Sequence, residues 1–293
     1  MTKFSLIVPY HNSQDLDRSA MMDELIASLP DRNDLELLLI DDHSVAPYQP
    51  KRRFEHTQLR LLANRDSWRF AGTARNLGIE QSSGDFLFFG DSDDRFDTQA
   101  LGRVMDGILS DPEYGLVLAR ATSFLEDGSR GNRHDYMDGI YAEISNGNTD
   151  ALVRLHSPVS KFIRRSFIEK TGLRYGDTRV ANDVLFNVKM AANVTRLKLS
   201  NEIIYHIRQG NSSLTNDPRP EAARTRIRVA REAQAILVAA GRKDLRQPMA
   251  YTFLRFFKAH PRVVLLEMLV SILRRDRIVS SKRRALRRIL RLA

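Results

Sequence analysis

The chain has 293 residues and a formal net charge of +10, and it is 42% hydrophobic and 28% charged. These proportions describe an ordinary globular protein, and no internal repeat or low-complexity segment interrupts the sequence. It contains no cysteine, which excludes disulfides, a thiolate nucleophile and a cysteine-bound zinc. Its length exceeds the size at which one core grows comfortably, so we expect one large domain and an appendage.

The positive charge is concentrated near the C-terminus. Residues 242–293 contain 15 lysines and arginines against 3 acidic residues, a net charge of +12, which leaves −2 for the first 241 residues. The body and the basic tail are therefore expected to serve different purposes.

Short apolar runs alternate with helical patterns through the first hundred residues. Nearly continuous apolar strands separated by helices are typical of an α/β protein whose mostly parallel sheet is covered on both faces. The predicted strands are Phe4–Pro9, Leu35–Ile40, Leu59–Ala63 and Phe86–Phe89, with amphipathic or helical stretches at 15–29 and Ala71–Glu80.

The second half of the chain has a mixed pattern. Residues 148–156 and 181–193 are predicted helices, and residues 195–210 are predicted strand. After residue 218 about seventy residues have a helical pattern.

Polar side chains follow three of the predicted strands, at residues 10–12, 41–44 and 91–94. Ligands of parallel sheets bind beyond the carboxyl ends of the strands, so this agreement is a functional signal. Asp91 and Asp93 form an Asp-x-Asp pair, which suits a hard divalent cation such as Mg²⁺ or Mn²⁺. An EF-hand is excluded because Phe96 stands where its loop needs glycine, and no P-loop motif occurs.

Five segments in order strengthen this signal: SLIVPYHN, LLLIDDHS, GTARNLGIEQSSGDFLFFGDSDD, NDVLFNVKM and IIYHIRQGNSSLT. Together, over residues 4–215, they resemble the bacterial family-2 glycosyltransferases, which have the GT-A fold and use nucleotide-diphosphate sugars. The resemblance implies a Rossmann-like, mostly parallel sheet covered by helices, with a C-terminal helical, basic appendage. The resemblance implies a catalytic domain at 1–217, with a nucleotide-binding half at about 1–97 and an acceptor half at about 98–217. A helical basic region follows at 218–293.

The resemblance also implies roles for individual residues. Asp183 takes the position of the catalytic base. Asp91 and Asp93 correspond to the acidic pair that bridges the ribose and a metal-bound diphosphate, with Mn²⁺ or Mg²⁺ as the expected cofactor, and His206 corresponds to a further metal ligand. The other residues implied to bind the nucleotide sugar are Pro9, Asp41, Asp42, Arg75, Asn76, Ser92, Arg208, Ser212 and Ser213.

The implied reaction is a metal-dependent, inverting transfer of a sugar from a nucleotide-diphosphate donor, expected to be a UDP-sugar. A base would take the acceptor proton, and cations would neutralise the departing diphosphate. The expected acceptor is a saccharide or lipid-linked glycan of the cell envelope or surface polysaccharides. One departure from the family is Asn182, which stands where the family usually has glutamate and puts the usual acceptor contact in doubt.

Other interpretations of these residues stay open. Asp41 and Asp42 could end a strand in an Asx turn, Asp183 could serve the dipole of the helix that it begins, and His206 could be a hydrogen-bonded structural histidine. Two alternative functions follow. One is a nucleotide-sugar-binding scaffold with a weakened site, suggested by Asn182, and the other is a nucleic-acid-binding protein acting through the basic tail.

The C-terminal region suggests a partner. Residues 263–273 are apolar but too short for a membrane span. The arginine-rich segment 275–293 has the pattern of an interfacial helix on an anionic membrane. The alternatives are binding of nucleic acid, docking to an oligomer partner, and a solvated helical bundle with a basic outer face. The first residues lack the pattern of a secretory signal, so we expect a cytoplasmic protein that is peripheral on the inner face of the membrane.

Overall fold

The computed structural model describes residues 2–14, 17–65, 70–210 and 217–279. The chain divides into two compact units, Met1–Asn211 and Ser212–Ala293. The catalytic and helical domains expected from the sequence, with their boundary after residue 217, stay a prediction.

The first unit contains a mixed sheet flanked by helices. Its strands are Phe4–Tyr10 (β1), Leu35–Asp42 (β2), Gln58–Asn64 (β3), Phe86–Phe89 (β4), Arg95–Phe96 (β5), Leu116–Phe124 (β6), Lys161–Arg164 (β7) and Leu197–Arg208 (β8). Its helices are Ser19–Ala27 (α1), Ala71–Gln81 (α2), Thr98–Ser110 (α3), Asp135–Ser145 (α4), Arg165–Thr171 (α5) and Val184–Asn193 (α6). The helix predicted at 148–156 is a 3-10 helix, Thr149–Arg154.

The strand order is β3-β2-β1-β4-β7-β6-β8-β5. The pairs β1–β2, β2–β3, β1–β4 and β6–β8 are parallel, while β7 runs antiparallel to β4 and β6. Every residue of β1, β2 and β4 is buried, which explains why these strands are continuous apolar runs in the sequence. The α/β class and mostly parallel sheet predicted from the sequence are confirmed.

The pairing between β1 and β4 ends three residues before the end of β1. They pair from Phe4 opposite Phe86 to Ile7 opposite Phe89, whereas β1 stays paired with β2 as far as Tyr10. Chain order reverses at this point, because β2 lies on one side of β1 and β4 on the other, and ligands bind at such a switch point. The missing N–H of Pro9 costs no ladder hydrogen bond, since it would face the side that β4 has already left.

The opposite end of the same three strands is fastened by Glu36. This side chain is 1% exposed and accepts hydrogen bonds from the Ser5 hydroxyl at 2.6 Å, the Gly84 N–H at 3.2 Å and both donors of Ser83. Burial would raise the pKa of Glu36, but these donors hold it below its ordinary value. One carboxylate therefore joins β1, β2 and the turn that begins β4.

We expect Glu36→Gln to lower the free energy of unfolding by about 1–3 kcal/mol at pH 7, because a neutral amide oxygen accepts these hydrogen bonds more weakly than a carboxylate and the ion pair with Arg60, 3.6 Å away, is lost. The depressed pKa stabilises the fold above the pKa of the unfolded carboxyl, and that contribution is lost as the pH falls through the folded value. The difference between variant and wild type, measured by urea unfolding, should therefore shrink between pH 6 and about pH 3. A difference that grows on acidification would contradict the assignment.

The second unit consists, in its described part, of three helices and a short 3-10 turn. The helices are Pro220–Ala239 (α7), Met249–Phe257 (α8) and Pro261–Leu273 (α9). Ile227, Met249, Phe253 and Val264 form its small core. Within the described ranges, no helix combines the length and the apolarity needed to cross a bilayer.

Candidate functional site

Three carboxylates follow β4 at the switch point. Asp94 closes the turn by donating its N–H to the Asp91 carbonyl at 3.1 Å. The Asp91 N–H donates to the hydroxyl of Tyr205 at 2.7 Å, and the Arg208 N–H donates to the carboxylate of Asp94 at 2.7 Å. The acidic loop is therefore held in place by β8.

The three carboxylates differ in exposure. Asp94 is 3% exposed, and its burial, together with the charges of Asp93 and Asp91, raises its pKa well above the ordinary value. The side chains of Asp91 and Asp93 are 35% and 30% exposed. Asp94 thus holds the loop in place, while the side chains of Asp91 and Asp93 remain accessible to solvent.

Arginines surround this acidic loop. Arg75 of α2 is buried and forms an ion pair with Asp91, and Arg18, just before α1, contacts Asp93 at 3.0 Å and the Ser92 hydroxyl at 3.4 Å. The side chain of Arg208 donates to the Asp93 carbonyl at 2.9 Å. Three cations beside two partly exposed carboxylates suit a bound diphosphate.

The predicted base, Asp183, also acts electrostatically on Arg75. Asp183 is the residue before the first turn of α6. Burial raises the pKa of Asp183, while the charges of Arg75 and Lys161 oppose that shift. A carboxylate whose pKa lies above its ordinary value is better suited to accept a proton from a substrate hydroxyl. The structure therefore brings Asp183, Arg75 and Asp91 into one electrostatic cluster.

Helix α2 positions the loop that leads to Asp183. A Cβ at Gly72 would lie 2.0 Å from the Gly176 carbonyl oxygen and 3.0 Å from the Asn182 Cβ. The Asn76 amide donates to the Tyr175 carbonyl at 3.0 Å and accepts from the Tyr175 N–H at 2.8 Å. Asn76 is predicted to bind the nucleotide, but both polar atoms of its side chain form hydrogen bonds with the backbone of this loop.

A buried lysine supports α6 from below. Lys161 is fully buried and donates to the carbonyls of Leu155 at 2.8 Å and Ser157 at 2.6 Å and to the Asn187 side chain. Asn187 in turn donates to the Asp183 carbonyl at 2.9 Å. Burial lowers the pKa of Lys161 to about 7, an effect that the charge of Asp183 opposes. This network holds the first turn of α6 and with it the position of Asp183.

Two buried polar atoms in the cluster are left without a hydrogen-bond partner in the described part of the chain. They are the Nε of Arg75 and the hydroxyl of Tyr175, and Arg75 lies 5.3 Å from the Tyr175 ring. Buried polar groups are nearly always satisfied in native proteins. The charges of both Asp91 and Asp183 act on these two side chains, which therefore belong to the same electrostatic cluster.

The carboxyl end of β2 has a more local structure. The Ser44 N–H donates to the Asp41 carboxylate at 3.0 Å, which is the turn contact foreseen as the alternative for this residue. Asp42 accepts from the Asn64 amide at 2.9 Å, and burial raises its pKa. Asp42 and the buried Pro9 line the side of the switch point formed by β1 and β2.

His206 lies apart from the acidic pair. Tyr205 points to Asp91, so alternation along β8 puts His206 on the opposite face. Burial lowers the pKa of His206, and the charges acting on it are Asp97 and Arg95. Ser212 and Ser213, the last predicted contacts, lie outside the described residues.

Asp91 and Asp93 have the chemistry of a magnesium or manganese site. They offer hard, partly exposed oxygens, and such cations are commonly held by one or two carboxylates plus substrate phosphates. A group of three histidine or acidic side chains that could hold a metal alone does not occur in the residues described. The residues present therefore fit a cation that a diphosphate helps to bind.

Sequence analysis missed Arg18, Tyr205 and Lys161. Arg18 follows QDLD without any motif, and Lys161 stands in the apolar run VSKFI. Tyr205 carried a weak signal, because a tyrosine inside an apolar strand usually finds a partner for its hydroxyl.

We expect Gly72→Ala to impair turnover of a UDP-sugar and to destabilise the first unit, because the new methyl group would collide with the Gly176 carbonyl and displace the loop before Asp183. The matched control is Gly102→Ala in α3, where a Cβ meets nothing within 4 Å. The control should gain about 0.5–1 kcal/mol in unfolding free energy. Equal behaviour of the two variants, by urea unfolding and UDP release, would contradict the close approach.

A family model described as glycosyl transferase family 2 matches residues 5–172. TarP of Staphylococcus aureus strain N315, a poly(ribitol-phosphate) beta-N-acetylglucosaminyltransferase, is 24% identical over 223 residues, covering 71% of this chain and 63% of TarP. TarS of strain Mu50, of the same description, is 24% identical over 218 residues, covering 70% of this chain and 35% of TarS. The chain thus spans less than two thirds of the length of these relatives.

Solved structures show the same fold. The crystal structure of S. aureus TarS 1-349 in complex with UDP-GlcNAc aligns with a TM-score of 0.62 and 18% identity, covering 88% of this chain and 74% of that one. The GT-A fold predicted from the sequence is thereby confirmed. Because the family model matches more than half of the residues, this chain belongs to glycosyl transferase family 2.

Proposed function

We propose that this protein transfers a sugar from a UDP-linked donor to a hydroxyl of a saccharide or lipid-linked glycan during cell-wall or surface-polymer synthesis. The observation that carries the proposal is the half-buried Asp183, whose raised pKa suits a base, in one electrostatic cluster with Arg75 and Asp91. TarP and TarS, named as poly(ribitol-phosphate) beta-N-acetylglucosaminyltransferases, support the polymer acceptor. The complex of TarS with UDP-GlcNAc supports the donor class.

The proposed reaction is a single displacement. The acceptor hydroxyl gives its proton to Asp183 and its oxygen attacks the anomeric carbon, while the bond to the diphosphate breaks and UDP leaves with the electron pair. Arg18, Arg75 and Arg208 neutralise the charge on the departing diphosphate. Because Asp183 acts as the base and the proposal assigns Asp91 and Asp93 to the donor, the displacement has one step and inversion is the expected outcome.

We further propose that Asp91 and Asp93 hold Mn²⁺ or Mg²⁺ when the donor binds. The support is their oxygen chemistry and partial exposure at the end of β4. Such a cation would supply charge neutralisation for the diphosphate, beside that of the arginines. His206 is left out of this proposed site because it lies on the face of β8 opposite Tyr205, where the charges acting on it are those of Asp97 and Arg95.

The acceptor contact differs from the family pattern at Asn182. Its side-chain amide donates to the Thr178 carbonyl at 3.2 Å, and its backbone carbonyl accepts from the Gly176 N–H at 2.8 Å, so these contacts lie within its own loop. Asn182 also favours a second candidate function, a nucleotide-sugar-binding scaffold with a weakened site.

The cytoplasmic location and the binding of segment 275–293 to an anionic membrane stay predictions, and residues 280–293 lie outside the described residues.

We expect Asp183→Asn to lower UDP-GlcNAc turnover by about 10²–10⁴, the usual contribution of a positioned base, because the amide takes no proton. UDP binding, measured by thermal shift, should stay close to that of wild type. The matched control is Asp177→Asn, an exposed position in the same loop, which should keep full turnover. Equal turnover in both variants would contradict the base assignment, and no turnover by wild type would favour the scaffold.

The metal proposal has its own test. Protein treated with a chelator should lose UDP release and regain it with Mn²⁺. The Mn²⁺ concentration for half-maximal thermal stabilisation in the presence of UDP should rise at least about tenfold in Asp93→Asn, since even lesser changes around a metal cost that much. Asp85→Asn, an exposed carboxylate just before β4, serves as the control. Stabilisation by UDP that is independent of Mn²⁺ would refute the proposal.

A further inference from the structure

Helices α8 and α9 leave a run of large apolar side chains exposed. Five of these side chains lie on α9 at positions i, i+1, i+4, i+7 and i+8, which is the spacing of one helical stripe. The outer face of α8 and α9, with exposed fractions between 54% and 75%, consists of Leu254, Leu265, Leu266, Leu269, Ile272 and Leu273.

This outer face is not the packing surface of the unit. Phe253 of α8 and Val264 of α9 point inward and join Ile227 of α7 in the core. Because both helices turn their inner sides to α7, their outer faces are directed away from it. Surface patches of this kind on globular proteins mark interaction sites more often than chance.

The charges beside the outer face have one sign. Arg255, Lys258, Arg262, Arg274 and Arg275 are all exposed. The one acidic residue in the sequence from 249 to 275 is Glu267, which is 12% exposed and forms an ion pair with Arg231 of α7 at 2.7 Å. An apolar stripe bordered by cations alone is therefore what α8 and α9 present to the solvent.

We propose that the outer face of α8 and α9 binds the surface of a membrane that contains anionic lipids. Its leucines would enter the boundary between headgroups and acyl chains, and its cations would meet the lipid phosphates. A helix of 13 residues is about 20 Å long, shorter than the hydrocarbon core of about 30 Å, so α9 lies in the plane of the interface.

The charge pattern distinguishes this occupant from others. A second copy of the chain would bring cations against cations, which opposes association. Nucleic acid is bound mainly through its phosphates and base edges and gives no role to a stripe of exposed leucines. An anionic lipid surface satisfies both the leucines and the cations.

The test is flotation of the full chain with phosphatidylcholine vesicles that contain about 30 mol% phosphatidylglycerol. Leu266→Gln/Leu269→Gln should lower the vesicle partition coefficient by roughly tenfold, because two inserted side chains become polar. The matched control is Leu61→Gln/Leu109→Gln, two apolar residues of the first unit that are 47% and 41% exposed. The control should float as wild type does, and all proteins should keep their thermal shift with UDP.

A second pair of substitutions tests the charges. Lys258→Gln/Arg274→Gln should lower partition into the anionic vesicles by roughly tenfold or more, at about fivefold for each cation, and leave partition into pure phosphatidylcholine unchanged. Wild type that does not float overturns the proposal, as does unchanged flotation of the leucine variant. A wild-type dimer that becomes a monomer in the leucine variant, by light scattering, also overturns it in favour of a second copy.

Discussion

The ion pair between Arg75 and Asp91 is the interaction on which the geometry of the site depends. Arg75 is 5% exposed, and its guanidinium is shared electrostatically by Asp91, Tyr175 and Asp183. A buried cation is costly unless it is paired. The same arginine therefore compensates the charge after β4 and the charge before α6, and it fixes both relative to α2. In the proposed reaction this one side chain would couple binding of the donor to activation of the acceptor.

The two ends of the central strands have different contacts. At the amino ends of β1 and β2, Glu36 accepts hydrogen bonds from neighbouring segments and leaves no opening. At the carboxyl ends, β1 continues beyond the last residue of β4, and the switch point opens. Pro9 is tolerated because its strand has lost one neighbour there. The switch point is thus a consequence of unequal strand lengths, and the acidic loop follows the shorter strand there.

The strands, most helices and the acidic ends of β2 and β4 could be predicted from the sequence, because apolar runs and Asp clusters are local signals. The residues that contact these strand ends in the folded protein could not be predicted in this way. Arg18 and Ser92 meet although 74 residues separate them, and Arg208 and Glu24 are 184 residues apart. His206 shows the limit most plainly. The run IIYHIR predicts a strand, but its pairing with β5 and the contact of Tyr205 with Asp91 decide which face meets the acidic pair.

The uneven charge of the chain acquires a physical meaning from these contacts. Residues 1–211, the first unit, contain 26 lysines and arginines against 30 acidic residues, a net charge of −4, so the proposed donor diphosphate meets no general positive field there. The attraction is local and depends on a few arginines that are buried or half-buried beside the carboxylates. Such contacts are screened by salt much less than exposed ones. The cations of α8 and α9 are exposed, so their interactions with the proposed membrane surface are sensitive to salt. Donor binding and surface attachment should accordingly respond differently to ionic strength, although both rely on arginine.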